Sequence, residues 1–185
     1  MSDRTFKNMT AVFKIVDLLF PYIPRRIKKF DIQPEMTVVD YGCGPGRYTI
    51  PISQLVGEKG KVFAVDIHEL AIAEVEKKIN EKNISNIETV LASGMDAGKY
   101  DTKLSNNCAD VVCAIDMFFI IKQSGDFLLE IKRILKQDGF LIIDDGHQSR
   151  KETKRKIEEA GIFKIFEETR DHLKCRVICS HTHCK

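Results

Sequence analysis

The sequence predicts an α/β domain with three layers, in which helices cover both faces of a doubly wound, mainly parallel sheet of seven strands. Three observations support this prediction. Apolar strand patterns alternate with amphipathic helical patterns along the chain. The first strand runs into an acid and then into glycines at alternate positions, before a helical pattern begins. The chain closes with two strand patterns joined by a charged turn, which predicts a hairpin and a last antiparallel strand.

The first element is a predicted helix over residues 5–20, ended by Pro21 and Pro24. Its apolar positions, which share one helical face, are Met9, Val12, Phe13, Val16, Leu19 and Phe20. This spacing predicts a helix that packs on the sheet.

The remaining elements follow the alternation of an open parallel sheet. The segment 109–115 is almost entirely apolar, as expected for a strand that is buried on both faces. Strands are predicted at Val38-Val39 and at residues 61–66, 87–92, 109–115, 140–143, 163–168 and 174–180. Helices are predicted at residues 48–56, 69–82 and 126–136, and a further helix begins with the capping box Ser149-x-x-Glu152 and closes at Gly161.

Length and composition indicate one ordinary globular domain. The chain has 185 residues, with 43% hydrophobic and 30% charged residues. A net charge of +2 gives no signal for nucleic-acid binding. Four basic residues cluster before the first strand: Arg25, Arg26, Lys28 and Lys29. They form either a solvated face or a surface that attracts an anionic substrate or an anionic surface.

The first residues are polar and charged, so we expect no signal peptide, no transmembrane segment and a cytoplasmic location. The cysteines are scattered, and Cys43, Cys108 and Cys113 fall in predicted core positions, as small buried residues would. A second group crowds the C-terminus: Cys175, Cys179, His181, His183 and Cys184. Its spacing suits zinc or another soft metal, but the alternation of Cys175, Val177 and Cys179 along a predicted strand favours a frayed terminus with incidental ligands. We therefore predict no metal site.

The form of the glycine loop restricts the ligand. The pattern is Asp40-x-Gly42-x-Gly44-x-Gly46, which has one residue fewer between its last glycines than the dinucleotide fingerprint. An acid at the head of the loop would repel a pyrophosphate but would suit a positively charged amino group. Asp66 ends the next strand, twenty residues after Gly46, where a ribose-binding carboxylate belongs. The glycine loop resembles motif I of the class I S-adenosylmethionine-dependent methyltransferases.

The resemblance implies a Rossmann-like methyltransferase fold over residues 35–180, with S-adenosyl-L-methionine as cofactor and S-adenosyl-L-homocysteine as product. The loop backbone would wrap the methionine part, Asp40 would order its ammonium group, and Asp66 would hold the ribose diol. The adenine would lie against Ile67. The other implied cofactor contacts are Met95, Asp96 and Asp116. The resemblance also implies that the segment 1–30 serves as a lid.

Two further segments supply candidates for the acceptor side. Phe118 and Phe119 form either an apolar wall or part of the core. The candidates for acceptor contact or for a general base are Asp116, Asp144, Asp145 and His147. The last three could instead bind a divalent metal or cap the following helix. The chain lacks the Asn/Asp-Pro-Pro-Tyr/Phe motif, which counts against methylation of amino groups on adenine, cytosine or glutamine.

The predicted function is methyl transfer to a small-molecule acceptor by in-line displacement. In this the chain is similar to the group that includes the ubiquinone and menaquinone biosynthesis methyltransferases. Two alternatives stay open: a non-catalytic cofactor-binding module that acts with a partner subunit, and an NAD-dependent oxidoreductase. The glycine spacing argues against the second of these. The sequence leaves the acceptor atom and the oligomeric state undetermined.

Overall fold

The structure is a computed structural model that describes residues 2–19, 22–93 and 100–178. Helices in these ranges are α1 Asp3–Leu19, α2 Ile23–Ile27, α3 Thr49–Val56, α4 Glu69–Lys82, α5 Ser124–Ile134 and α6 Arg150–Ala160. Strands are β1 Thr37–Tyr41, β2 Lys61–Asp66, β3 Ile87–Leu91, β4 Ala109–Ala114, β5 Leu135–Ile143, β6 Phe163–Glu168 and β7 Leu173–Val177. A 3-10 turn, Phe118–Ile120, follows β4.

The strands form a seven-stranded mixed sheet in the order β3-β2-β1-β4-β5-β7-β6. β1, β2 and β3 pair in parallel, as do β4 and β5, whereas β7 runs antiparallel to both β5 and β6. This arrangement confirms the predicted fold class. Because Tyr41 pairs with Val65, the glycine loop and Asp66 leave the sheet at the same edge.

The chain divides into two compact units, residues 1–92 and 93–185. In the first unit, β1 and β2 are buried because apolar residues occupy both of their faces. The helix α4 presents Ala71 and Val75 to this core, and Ile72 and Ile79 pack beside them. The apolar residues of α4 recur at helical spacing, so burying that face stabilises both the helix and the sheet.

In the second unit, β4 and β5 form the buried centre. The inward face of α5 is buried as predicted, through Phe127, Leu128, Ile131, Ile134 and the adjoining Leu135. The helix α6 begins at the predicted cap, where Ser149 Oγ accepts a hydrogen bond from the Glu152 amide at 3.2 Å. It ends at Gly161, whose φ of 64° suits a left-handed C-cap. Both predicted ends of α6 are therefore confirmed.

One predicted boundary is wrong by several residues. Helix α5 ends at Ile134 instead of residue 136, and β5 starts at Leu135 instead of residue 140. The cause is a register shift, since Ala109 pairs with Leu135 but Val111 pairs with Phe140. Lys136 belongs to the extra strand segment, and its ammonium holds the Asp110 carboxylate at 2.8 and 2.9 Å. The polar run before Phe140 conceals this irregular strand in the sequence.

The N-terminal segment also differs from expectation. Pro24 does not end the first helix but lies in the first turn of a second, α2, where its missing N–H costs nothing. Phe20 and Pro21 lie outside the described residues. The expected apolar face of α1 is only partly buried, because Val12 and Leu19 are exposed. Phe6 and Thr10 supply buried contacts instead.

Smaller differences affect the ends of β3, β4 and β7. β3 and β4 each end one residue before the predicted position, at Leu91 and Ala114. β7 starts at Leu173 and ends at Val177, before the predicted residue 180.

Within the described residues, no helix is long and apolar enough to cross a membrane.

Candidate functional site

The glycine loop is fixed to the end of β2 by its backbone. The amides of Gly42 and Cys43 donate to the carbonyl oxygen of Val65 at 2.8 and 3.1 Å, and the Gly46 amide donates to Cys43 at 2.9 Å. Gly46 has a φ of 78°, and a Cβ there would lie 3.1 Å from Val75 Cγ2. Gly44 also has a positive φ, 51°, yet a Cβ there would meet nothing within 4 Å. The loop therefore packs on α4 at Gly46 and stays open at Gly44.

Asp66 joins the two loops that follow β1 and β2. Its Oδ2 accepts a hydrogen bond from the Gly44 amide at 2.9 Å, and its Oδ1 accepts one from the His68 amide at 2.9 Å. A carboxylate has about four lone-pair sites, so these two bonds leave acceptor capacity on both oxygens. The side chain is half-buried. Asp66 can thus hold the glycine loop in place while it accepts hydrogen bonds from a diol.

Asp40 is buried beneath the same loop, and its Oδ2 accepts a hydrogen bond from Thr49 Oγ1 at 2.5 Å. The pKa of Asp40 is raised to about 6: burial has the largest effect and raises it, the Thr49 hydrogen bond lowers it, and the nearby Asp66 charge raises it. A bound cation would favour the ionised form. Thr49 is the first residue of α3 and is also buried, so the carboxylate is oriented from the start of that helix. The sequence analysis missed Thr49, and only its position at the predicted helix start could have indicated it.

The remaining predicted cofactor contacts fall into two groups. Ile67 follows Asp66 directly and is 45% exposed, so it is available to a flat apolar ligand. Met95 and Asp96 lie outside the described residues. The residues flanking that part of the chain are bonded to each other, with the Ser93 and Asp101 amides donating to each other's carbonyl oxygens at 3.3 and 3.2 Å.

In the second unit, Asp116 and Asp144 form a linked pair. Asp116 follows β4, is exposed, and has a φ of 56°, which is uncommon for a residue with a side chain. Its amide donates to Asp144 Oδ1 at 2.8 Å, and Asp144 is buried. Asp144 thus holds the backbone at Asp116 and leaves the Asp116 carboxylate at the surface. A residue with a side chain that adopts this left-handed backbone conformation often marks a functional position.

The other two candidates after β5 differ in their surroundings. Arg150 Nε contacts both oxygens of Asp145 at 2.9 and 2.8 Å, so this carboxylate ties the loop to the start of α6. His147 is exposed and meets the Phe119 ring edge-on, with centroids 4.9 Å apart. A Cβ at Gly146 would lie 2.4 Å from Phe119 Cδ1. Only glycine therefore lets the two loops pack this closely.

Phe118 and Phe119 have separate roles. Phe118 is fully buried and packs on Phe127, with centroids 5.8 Å apart, so core packing describes it. Phe119 remains partly exposed. The ammonium of Lys156 lies 3.2–3.4 Å from the carbonyl oxygens of Phe118, Phe119 and Ile121 and 5.3 Å from the Phe118 ring. Sequence reasoning missed this contact, because Lys156 is one of several lysines on a polar helix.

The helix α1 contacts residues that closely follow the two segments predicted to bind the cofactor. The Phe6 ring stacks on His68 with centroids 5.0 Å apart. The Arg47 guanidinium lies 4.0 Å from the Phe13 ring centroid and 5.7 Å from that of Tyr22, and it donates to the Tyr22 hydroxyl at 3.1 Å. His68 is two residues after Asp66, and Arg47 is the residue after Gly46. Neither contact was predicted from the sequence.

The cysteines and acids show no metal cluster in the part of the chain that the structure describes. Cys43, Cys113 and Cys175 are buried, whereas Cys108 is only half-buried because it precedes β4 instead of lying within it. Burial raises the pKa of Cys175 to about 12, so its thiol stays protonated. Cys179, His181, His183 and Cys184 lie outside the described residues.

A family model described as a methyltransferase domain matches residues 32–180, which is most of the chain. The chain belongs to this methyltransferase family. The match begins just before β1 and includes the glycine loop and Asp66. It favours methyl transfer over the NAD-dependent and the non-catalytic alternatives.

Several curated proteins are similar to this methyltransferase. The ribosomal protein L11 methyltransferase of Thermoanaerobacter pseudethanolicus is 32% identical over 131 residues, 69% of this chain and 38% of that protein. The ubiquinone/menaquinone biosynthesis C-methyltransferase of Shewanella baltica is 25% identical over 167 residues, 87% of this chain and 65% of that protein. The chain thus spans less than two thirds of the length of either relative.

Solved structures agree on the fold. A SAM-dependent methyltransferase from Aquifex aeolicus superposes with a TM-score of 0.75 at 26% identity, covering 84% of this chain and 89% of that one. A structure from Methanococcus maripaludis gives a TM-score of 0.75 at 20% identity over 98% of this chain and 99% of that one. The second likeness supports the fold alone, because its identity is low.

Proposed function

We propose that this methyltransferase binds S-adenosylmethionine in its first unit and transfers the methyl group to a small-molecule acceptor by in-line displacement. The observation that carries the proposal is the hydrogen bond from the Gly44 amide to Asp66 Oδ2. It joins the open part of the glycine loop to the carboxylate that would hold the ribose. The similarity to SAM-dependent methyltransferases supports the choice of cofactor.

The residues present fit this cofactor. Asp66 retains acceptor capacity for two hydroxyl groups. The space in front of Gly44 is free of protein atoms within 4 Å of a Cβ position, so a ligand can approach the backbone there. Asp40 offers a buried negative charge for an ammonium group, and Ile67 offers exposed apolar surface for the adenine. The further contacts that the resemblance implies, Met95, Asp96 and Asp116, belong to the second unit and stay predictions.

The chemistry asks little of the protein beyond placement. Bound S-adenosylmethionine supplies a methyl group that is already activated by its positive sulfonium. The chain must hold an acceptor atom in line with that group and keep water away, which can lower the barrier by several kcal/mol. A general base is needed only when the acceptor must lose a proton before or during attack.

Among the candidates on the acceptor side, Asp116 and His147 are the exposed ones. Asp144 and Asp145 are engaged with the Asp116 amide and with Arg150, so we assign them to positioning. Either Asp116 or His147 could accept a proton from an acceptor hydroxyl, and Phe119 would supply an apolar contact beside His147. We keep the metal alternative out of the proposal because Arg150 neutralises Asp145.

The acceptor is proposed as a small molecule. The quinone-biosynthesis relatives support this class, since they match 87% of this chain. The ribosomal-protein relative matches 69% of it, and 38% of its own length is covered. A cytoplasmic location is part of the proposal and is supported by Cys43 and Cys175, which form no disulfide.

The N-terminal segment is proposed as a lid on the cofactor side. The ring of Phe6 on His68 and the ring of Phe13 on Arg47 place α1 against both segments that would bind the cofactor. Movement of α1 would release these two contacts together. The helix would then control how quickly the cofactor enters and leaves.

Calorimetric titration with S-adenosylhomocysteine, S-adenosylmethionine and NAD tests the binding site. We expect micromolar binding of the two sulfur ligands and none of NAD. Asp66→Asn keeps one acceptor oxygen but loses the charge and should weaken binding at least tenfold. Asp138→Asn, at an exposed position on β5, is the matched control and should bind as the wild type does. A folded protein that binds neither sulfur ligand would sink the proposal.

A further inference from the structure

The outward side of α1 carries apolar side chains that no described part of the chain covers. Val12, Ile15 and Leu19 follow at helical spacing and are 56%, 61% and 63% exposed. We call these three residues the outer α1 face. On other sides of the same helix, Phe6 and Thr10 are buried and Phe13 is partly covered. The helix is therefore packed on one side and open on the other.

The second half of α1 has an unusual composition for a helix at a protein surface. Seven of the nine residues from 11 to 19 are apolar, the exceptions being Lys14 and Asp17. A helix that is apolar all round is normally covered on all sides. Single exposed apolar residues are common, but three in register form a continuous patch that indicates a binding surface.

The basic residues that follow α1 in the sequence indicate which kind of partner binds the outer α1 face. Residues 22–30 contain four basic side chains and no acid, and Arg25, Lys28 and Lys29 are exposed. Arg47 contacts both the Phe13 ring of α1 and the Tyr22 ring just before α2. The apolar half of α1 and the start of the basic segment are thus joined at one guanidinium. An apolar helix face beside a basic cluster is the pattern of a helix that lies in the surface of an anionic membrane.

We infer that the outer α1 face, together with Arg25, Lys28 and Lys29, docks the protein on a membrane surface that contains anionic lipids. The apolar side chains enter the boundary between headgroups and acyl chains, and the basic side chains bind lipid phosphates. A second copy of the chain fits this surface less well, because a symmetric dimer would bring the two basic segments towards each other. The inference does not depend on methyl transfer.

Co-sedimentation of the full chain with lipid vesicles tests the inference. Vesicles of phosphatidylcholine with about one third phosphatidylglycerol should bind the protein at low salt, and binding should fall as salt rises to about 0.5 M. The double variant Ile15→Ser/Leu19→Ser should reduce partitioning at least tenfold, because both changes remove apolar surface that would enter the lipid. Arg25→Gln/Lys28→Gln should reduce it as well and should flatten its salt dependence.

Matched controls lie on α5, where Leu129 is 53% exposed and Lys132 is also exposed. Leu129→Ser and Lys132→Gln should bind vesicles as the wild type does, and circular dichroism should show all variants folded. Absence of wild-type binding at low salt overturns the inference, as do outer-face variants that bind no less than the controls. A wild-type dimer that Leu19→Ser converts to a monomer, without vesicle binding, would assign the face to a second copy instead. Calorimetric titration should show that these variants bind S-adenosylhomocysteine with the wild-type affinity. A loss of vesicle binding then cannot be attributed to a damaged cofactor site.

Discussion

At the scale of single residues, Gly44 and Gly46 show how one loop serves two purposes. Both have a positive φ, but Gly46 lies against Val75 whereas Gly44 faces open space. Gly46 is therefore required for packing on α4, and we propose that Gly44 leaves room for a ligand to approach the backbone. A sequence motif treats the two positions alike, and the structure separates them.

Alanine at each position should separate ligand binding from stability. Gly44→Ala should cost about 1 kcal/mol of unfolding free energy through its left-handed backbone, yet weaken S-adenosylhomocysteine binding at least tenfold. Gly46→Ala should cost more, by roughly 1 kcal/mol, because its Cβ crowds Val75 as well. Urea denaturation and calorimetry measure the two quantities. Equal effects of both changes on stability would contradict this division.

Asp40 makes the stability of the protein depend on pH. Its pKa is about 6 in the folded protein against an ordinary value of 3.8, so folding costs more once the group is ionised in both states. Without cofactor, the unfolding free energy of the wild type, relative to Asp40→Asn, should fall by up to about 3 kcal/mol between pH 4 and pH 7.

Urea denaturation across that pH range, on both proteins in the same buffers, measures the difference. The asparagine of the variant can still accept the Thr49 hydrogen bond through its amide oxygen, so the comparison isolates the charge. A difference that stays constant with pH would show that Asp40 titrates normally.

At the scale of elements, the turn after β4 depends on a helix far along the chain. Lys156 of α6 donates towards three carbonyl oxygens in the segment Phe118–Ile121. The Lys156 side chain is half-buried, and this burial lowers its pKa. The segment that presents Asp116 and Phe119 is thereby fixed from one side.

Lys156→Met should loosen this turn while keeping most of the side-chain packing. We expect a loss of about 1 kcal/mol in unfolding free energy and faster hydrogen exchange of the amides of residues 118–121. Lys151→Met, at an exposed position on the same helix, is the control and should change neither. If hydrogen exchange of residues 118–121 is no faster in Lys156→Met than in Lys151→Met, then Lys156 does not hold the turn.

The proposed lid role of α1 makes a separate prediction. Phe6→Ala removes the ring that stacks on His68 and should release the N-terminal helix. Hydrogen exchange should become faster in residues 3–19, and both association and dissociation of S-adenosylhomocysteine should become faster in stopped-flow measurements. Leu129→Ala on α5 should leave these rates unchanged. Slower association in Phe6→Ala would show that α1 helps to form the site and does not close it.

At the scale of the whole molecule, regular periodicity and turn residues account for what could be predicted. The bounds of β2, α4 and β6 follow from strict patterns between glycine, asparagine and charged turns, and the structure confirms them. The glycine loop and Asp66 each follow directly on a regular strand pattern, so the sequence could locate them, and their role in cofactor binding stays a prediction. What the sequence conceals depends on contacts between distant segments.

Three particular features show that limit. The start of β5 is hidden because a polar run joins the sheet through a register shift and the Lys136–Asp110 ion pair. The burial of Phe6 and the exposure of Leu19 cannot be distinguished by apolar periodicity, since both are apolar residues of one helix. The contact between Lys156 and the turn after β4 joins residues more than thirty positions apart.

The crystal structure of the complex with S-adenosylhomocysteine tests the proposed site most directly. We predict the ribose hydroxyls within hydrogen-bond distance of Asp66, the amino-acid end against the loop from Gly42 to Gly46, and the hydrogen bond from the Gly44 amide to Asp66 retained. The ammonium group should lie nearest to Asp40. A ligand bound elsewhere on the protein, or one whose ribose makes no contact with Asp66, would contradict the cofactor site proposed for this methyltransferase.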